Sequence, residues 1–338
     1  MRQVTVTEKE AGQRLDKYLH KLLPTAPSSF FYRMLRKKNI TLNGKKAEGK
    51  EKLVSGDTLT LFLSEETIRG FGLKAPDKKN APGKAWALSS CEEAYKKLKG
   101  VQVLYEDDHI LIMNKPSGIL SQKASKEDLS LNEWMLGYLL ARGEWEPEKT
   151  AAFKPSICNR LDRNTSGLLI GAKSIAGSQM AGSLLRDRSL RKFYRMIVKG
   201  QITREETLEG YLKKDESSNF VRLCTGKEPG ALYIKTRYYP LRQIGGLTLV
   251  EAELITGKPH QLRIHLAGQG HPLVGDYKYG DTKLNDKYKR RFQIDSQLLY
   301  ACRLEFPRME APFENLSERI IELSAPREFL RLMEPETS

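Results

Sequence analysis

The chain has 338 residues with 57 Lys and Arg against 42 Asp and Glu, a formal charge of +15. That length suits roughly two domains with a core each, and the positive excess selects an acidic partner, nucleic acid or an anionic membrane. No apolar run approaches a membrane span and MRQVTVTEKE lacks a secretory signal's apolar stretch, so a soluble cytoplasmic protein that meets nucleic acid, not a membrane, is expected.

In chain order, RLDKYLHKLL at 14–23 places Leu15, Tyr18, Leu19 and Leu22 on one helical stripe, with Lys17 and Lys21 opposite. A second helix is expected over 28–37, capped by Ser28 or Ser29, with Phe31, Met34 and Leu35 as its apolar side. NITLNGKKA predicts a strand through Ile40 and Leu42 that turns at Asn43-Gly44, and SGDTLTLFL predicts a half-buried strand from the alternation of Leu59, Leu61 and Leu63. These elements define a small α+β domain over 1–66, and the Gly, Pro and Lys of GFGLKAPDKKNAPGK mark a basic linker over 67–100.

A second domain is expected over 101–338, opening with VQVLYEDDHILIMNKPSGI. Strand patterns follow at 166–173, 193–199, 232–240, 247–255, 261–266 and 317–323, with helices at 130–142 and, capped by Ser174, at 174–187. Strands and helices do not alternate strictly, which predicts an α+β fold with a mixed, largely antiparallel sheet.

The cysteines Cys91, Cys158, Cys224 and Cys302 are scattered singly and are read as reduced and packed. His260 and His265, at odd separation on an expected strand, would point to opposite faces, so no metal site is expected. One carboxylate stands apart: in ICNRLDRNTSGLLIGAKS, Asp162 lies between Arg160 and Arg163 on a turn backed by an apolar strand. Residue types leave two readings open, a turn carboxylate paired with Arg160 or Arg163 and a reactive carboxylate held rigidly. Downstream, Tyr194 shares an apolar strand face with Met196 and Val198, Arg263 alternates with Leu262 and Ile264, and KLNDKYKRRF interleaves Tyr288 and Phe292 with cations that suit RNA.

Four motifs resemble, in order, those of the RluA family of pseudouridine synthases: NRLDRNTSG, KFYRMIVKG, LITGKPHQLRIH and GHPLVGDYKYG, within about 101–333. The resemblance implies an RNA pseudouridine synthase with no cofactor, which breaks the N1–C1′ bond of a uridine, rotates the uracil and rejoins it through C5. It assigns catalysis to Asp162, its pairing to Arg263, the space of the extruded base to Arg160, and stacking on the flipped uracil to Tyr194. Asn159, Lys258, Pro259 and Tyr300 depart from the family's usual residues, and these departures bear on RNA contacts rather than on the reacting groups. The N-terminal pattern resembles the alpha-L RNA-binding domain of a ribosomal protein. Residues 11–66 hold 11 Lys and Arg against 6 Asp and Glu, and Arg33, Arg36, Lys37, Lys38 and Lys45 are the expected RNA contacts. The implied substrate is structured RNA, ribosomal in the first instance and transfer RNA in the second, acted on by a monomer. Two other readings are a non-catalytic RNA-binding protein that keeps the fold, and a hydrolase built on Ser166, which lacks a well-placed base.

Overall fold

The computed structural model describes residues 1–72, 82–147, 153–214, 220–224, 226 and 228–333, the side chains of 82–87 and 214 excepted. The N-terminal unit builds its own core. Strand β1 (Arg2–Thr5), helices α1 (Leu15–Leu22) and α2 (Ser28–Arg36), strands β2 (Ile40–Leu42), β3 (Lys45–Lys46) and β4 (Thr58–Leu61), and helix α3 (Glu65–Gly70) follow in order. The sheet runs β1-β4-β2-β3, all antiparallel. The expected stripe of α1 is buried, with Leu15, Tyr18 and Leu19 packed against Phe31, Leu35, Leu59 and Leu61. Asn43 and Gly44 take positive φ, 49° and 73°, as a two-residue hairpin turn requires. The cap of α2 differs from expectation: Pro27 is the N-cap with no side-chain bond, and the Ser28 hydroxyl meets His20 Nε2 instead.

Part of the expected linker is helix. Residues 73–81 lie outside the described residues, but α4 (Pro82–Lys97) buries Cys91 and Ala94 in the core of the second unit. It packs on α5 (Leu131–Ala141) so closely that a Cβ on Gly137 would stand 2.2 Å from the Cys91 carbonyl. The apolar positions of α4 follow a basic, glycine-rich opening, which masked its helical period.

The second unit is one large sheet. Its strands are β5 (Gln102–Glu106), β6 (Ile110–Lys115), β7 (Ser156–Ile157), β8 (Ser166–Ala172), β9 (Arg191–Lys199), β10 (Glu206–Lys214), β11 (Val221–Cys224), β12 (Leu232–Ile244), β13 (Leu247–Leu254), β14 (Leu299–Glu305) and β15 (Ile320–Glu322). The main path is β11-β10-β12-β13-β9-β14-β8-β6-β5, with β7 on β8 and β15 on β14. Only the β14–β8 pair is parallel among the described strands, so the sheet is mixed and largely antiparallel. Helices α6 (Ile175–Asp187), α7 (Gln261–Gly268), α8 (Thr282–Phe292) and α9 (Arg327–Met333) complete the unit, and Ser174 caps α6 by accepting from the Gly177 N–H at 3.0 Å. Strand β9 sends Tyr194, Met196 and Val198 into the core shared with α5, and Phe193 and Ile197 into a second core with Phe329 and Leu332 of α9. Among the described residues, no helix is long and apolar enough to cross a membrane.

One expectation fails here. The segment 261–266 is not a strand but the start of α7, buried on every side. Leu262 and Leu266, one turn apart, enter the main core, while Ile264 reaches Leu212, Val221 and Ile234 on the other side. A helix buried all round can show apolar residues at alternate positions, so six residues of alternation imitated a strand. In α8, Tyr288 and Phe292 stack on each other at 5.8 Å and pack on the core, leaving Lys287, Lys289, Arg290 and Arg291 outside. These rings anchor the helix on the core.

Candidate active site

The loop between β7 and β8 carries Asp162, and side chains from outside the loop hold it by its backbone groups. The Ser121 hydroxyl accepts from the Leu161 N–H at 3.0 Å and donates to the Leu161 carbonyl at 2.7 Å. The Thr165 N–H donates to the Asp162 carbonyl at 3.0 Å, closing the turn that the Asn, Thr and Ser residues predicted. Beneath it Lys115, fully buried, donates to the carbonyls of Pro116, Ile119 and Arg163 at 3.0, 2.8 and 2.9 Å. Burial pushes the Lys115 ammonium down to about 7, against the pull of Asp162's charge. Where β8 begins, Gly167 has φ of 114° and an added Cβ would lie 2.3 Å from the Ala301 carbonyl. Only glycine allows β8 and β14 to run side by side under the loop.

Arg263 reaches Asp162 from α7. Its Nη1 donates to Asp162 Oδ2 at 3.1 Å, while Nε and Nη2 hold Asp276 through both carboxylate oxygens at 2.7 and 2.8 Å. This fork fixes the guanidinium plane, so the remaining N–H has one direction in which to point. Asp276 is buried, which pushes its carboxyl up, but the Arg263 fork and the N–H groups of Lys278 and Tyr279 outweigh burial and hold it below the ordinary range. Tyr279 lies beside the guanidinium at 5.1 Å and its hydroxyl meets His260 Nδ1 at 2.8 Å. That sets His260 Nε2 3.9 Å from Asp162 Oδ2. Burial first, then the charges of Arg263 and Lys278, lower the His260 pKa, with Asp162 opposing them.

The floor beside Asp162 comes from strand register. Ala252, Tyr194, Ala301 and Gly167 sit in one row across β13, β9, β14 and β8. The strand neighbours of Tyr194 on both sides are small alanines, and Tyr194, only 7% exposed, lies between the core and the cleft. Burial, then Asp162's charge, raise the Tyr194 hydroxyl pKa, so the ring stays neutral. Arg160, exposed at the rim, joins Asp162, Tyr194 and Arg263 in lining a single cleft of about 870 Å³. Neither Arg160 nor Arg163 is the partner of Asp162; Arg163 instead donates to the Gly118 carbonyl at 3.3 Å. The five N-terminal cations Arg33, Arg36, Lys37, Lys38 and Lys45 are exposed on the separate unit and do not line the cleft.

Three residues of the site carry no expected role in the sequence reading. Asp276 sits inside GHPLVGDYKYG, and a lone carboxylate between glycines was the available signal. Lys115 precedes a proline, a position that suggested only a strand end. His260 adopts φ of 56° to cap α7, a conformation invisible once the segment was read as extended. Of the departures, Asn159 serves the fold, its Oδ1 accepting from the Ile170 N–H at 2.9 Å, while Lys258 and Pro259 line the cleft.

Similarity to known proteins agrees with this geometry. Residues 109–268 match the family described as RNA pseudouridylate synthase. The ribosomal large subunit pseudouridine synthase C of Vibrio cholerae is 30% identical over 326 residues, covering 96% of this chain and 93% of that protein. Its namesake in Haemophilus influenzae is 32% identical over 307 residues, covering 90% and 87%. The solved human RNA Pseudouridylate Synthase Domain Containing 4 shares the fold at 21% identity, with a TM-score of 0.54 over 72% of this chain and 95% of that one. The chain belongs to the RluA family of RNA pseudouridylate synthases, and its activity is the isomerisation of uridine in RNA.

Proposed function

We propose that the chain converts specific uridines of large-subunit ribosomal RNA to pseudouridine, with Asp162 as the catalytic carboxylate. The observation that carries this reading is the bond from Arg263, itself clamped by Asp276, that aims Asp162 into the cleft beside Tyr194. In the reaction the N1–C1′ bond breaks, a C5–C1′ bond forms, C5 loses its proton and N1 gains one. An oriented carboxylate can attack the sugar or ring, or take a sugar proton. A stacked uridine hides its glycosidic bond, so the base must leave the helix, and Arg160 at the rim fills the space it vacates. Tyr194 offers the extruded uracil a flat face on which it can rotate without breaking directional bonds. The N-terminal unit, of alpha-L type, adds affinity through Arg33, Arg36, Lys37, Lys38 and Lys45. The reading is completed by a monomer working in the cytoplasm. That the relatives are ribosomal large subunit pseudouridine synthases supports the ribosomal target.

The test is tritium release from [5-³H]uridine-labelled transcripts, since the C5 proton must leave. Large-subunit ribosomal RNA should release tritium with the wild type and, with Asp162→Asn, at a rate lower by at least about a thousandfold. Release from transfer RNA alone would overturn the ribosomal target, and RNA binding without release from either would overturn the enzymatic reading.

A further inference from the structure

Lys192 begins the same strand face as Tyr194 and lines the same cleft, yet none of the chemistry above uses it. It is only 8% exposed. Its ammonium has no hydrogen-bond or ion-pair partner among the described residues, and its tip is open to the cleft rather than sealed in the core. The neighbouring carboxylate, Glu253, is occupied by Arg191, whose Nε and Nη2 hold its two oxygens at 2.8 and 3.1 Å. What surrounds Lys192 on the cleft side is more positive charge: Arg188, exposed with a left-handed φ of 65° at the end of α6, and Arg186 two residues earlier. Burial lowers the Lys192 pKa and the charge of Arg188 lowers it further. Burying a cation without a partner is costly, and crowding it with a second cation costs more. An anion bound in the cleft removes both penalties.

We propose that Lys192, with Arg188 and Arg186 at its rim, is a subsite for a phosphate of the extruded nucleotide. Spacing supports this. Residues two apart on a strand stand about 6.7 Å from each other on one face, comparable to the reach from a nucleotide's base to its own phosphate. With the uracil on Tyr194 and its sugar at Asp162, that phosphate falls beside Lys192. The cation grips the nucleotide only once it has left the helix, so its effect belongs to the flipped state and not to the first encounter with RNA.

The proposal rests on the uridine-isomerase reading, and two measurements on the full chain separate the two. In the first, uridine and its 3′- and 5′-monophosphates are titrated by NMR. The wild type should bind one monophosphate at least about tenfold more tightly than uridine, Lys192→Met should lose that preference, and Lys192→Arg should keep it. In the second, saturating single-turnover tritium release from large-subunit ribosomal RNA should fall at least about tenfold in Lys192→Met and recover in Lys192→Arg. Lys192→Met should also melt no lower than the wild type, because it removes an unpaired buried charge, whereas a merely structural lysine would melt lower when replaced. Equal binding of uridine and both monophosphates by the wild type, or Lys192→Met indistinguishable from it in both measurements, overturns the subsite. A wild type that releases no tritium but prefers a monophosphate through Lys192 overturns the isomerase reading and keeps the subsite.

Discussion

On the N-terminal unit Arg33, Arg36, Lys37, Lys38 and Lys45 stand exposed around a self-contained core, whereas Arg263 at the cleft and Lys115 beneath the Asp162 loop are buried and every bond they make has a named acceptor. The first set acts at a distance: exposed cations attract phosphate whatever their exact rotamers, and salt screens them. The second set acts by direction, since a buried donor fixes the groups it touches and suffers if one is removed. Positive charge thus serves two ends in one chain, gathering RNA outside and setting geometry inside.

The sharpest way to break that contrast is Asp276→Ala. It strands Arg263 in the core, and loss of one partner of such a pair should cost about 3–5 kcal/mol in urea unfolding. With Asp162 no longer aimed, single-turnover tritium release should fall at least about a hundredfold. Stability and rate both close to wild type would show that Arg263 needs no clamp. Lys115→Met comes next and has a pH signature. Lys115 falls from its ordinary 10.5 to about 7 on folding, so between those values the unfolded chain binds the extra proton. Its contribution is full above the unfolded value and is lost as pH falls through the folded one. Wild-type stability should therefore climb from pH 7 to 10 by at most about 1.4 kcal/mol per pH unit on this account, and the substitution should flatten the climb. The same slope in both proteins would sink the assignment. The smallest effect belongs to the outer set: the pair Arg33→Gln, Arg36→Gln should weaken RNA binding about tenfold at low salt and reduce the slope of log affinity against log salt by about 1–2. An unaltered slope would remove this face from the RNA footprint.

How much of this was legible before the structure depended on whether an element has one buried face or several. Helix α1 and the Asn43-Gly44 hairpin have one, so period and turn chemistry placed them. Ordered motifs single out Asp162, Tyr194, Arg160 and Arg263, and all four line one cleft. Helix α7 was misread because it is buried all round, and with it went His260, whose place depends on capping a helix. The core packing of Tyr288 and Phe292 was not legible, because interleaving with cations says nothing about which side of a helix faces the core. Asp276 and Lys115 act on backbone or on another side chain, and no local pattern announces a partner that arrives from elsewhere in the chain.

Arg263 lies between two carboxylates, bound through two N–H groups to Asp276 and through one to Asp162. Arginine and Asp276 together form a dipole with no net charge, and its positive end is turned toward Asp162. The three groups as a set keep one whole negative charge, located on the residue nearest the cleft. The fork thus steers the carboxylate without pairing it off, at the point where a sugar or a ring must react.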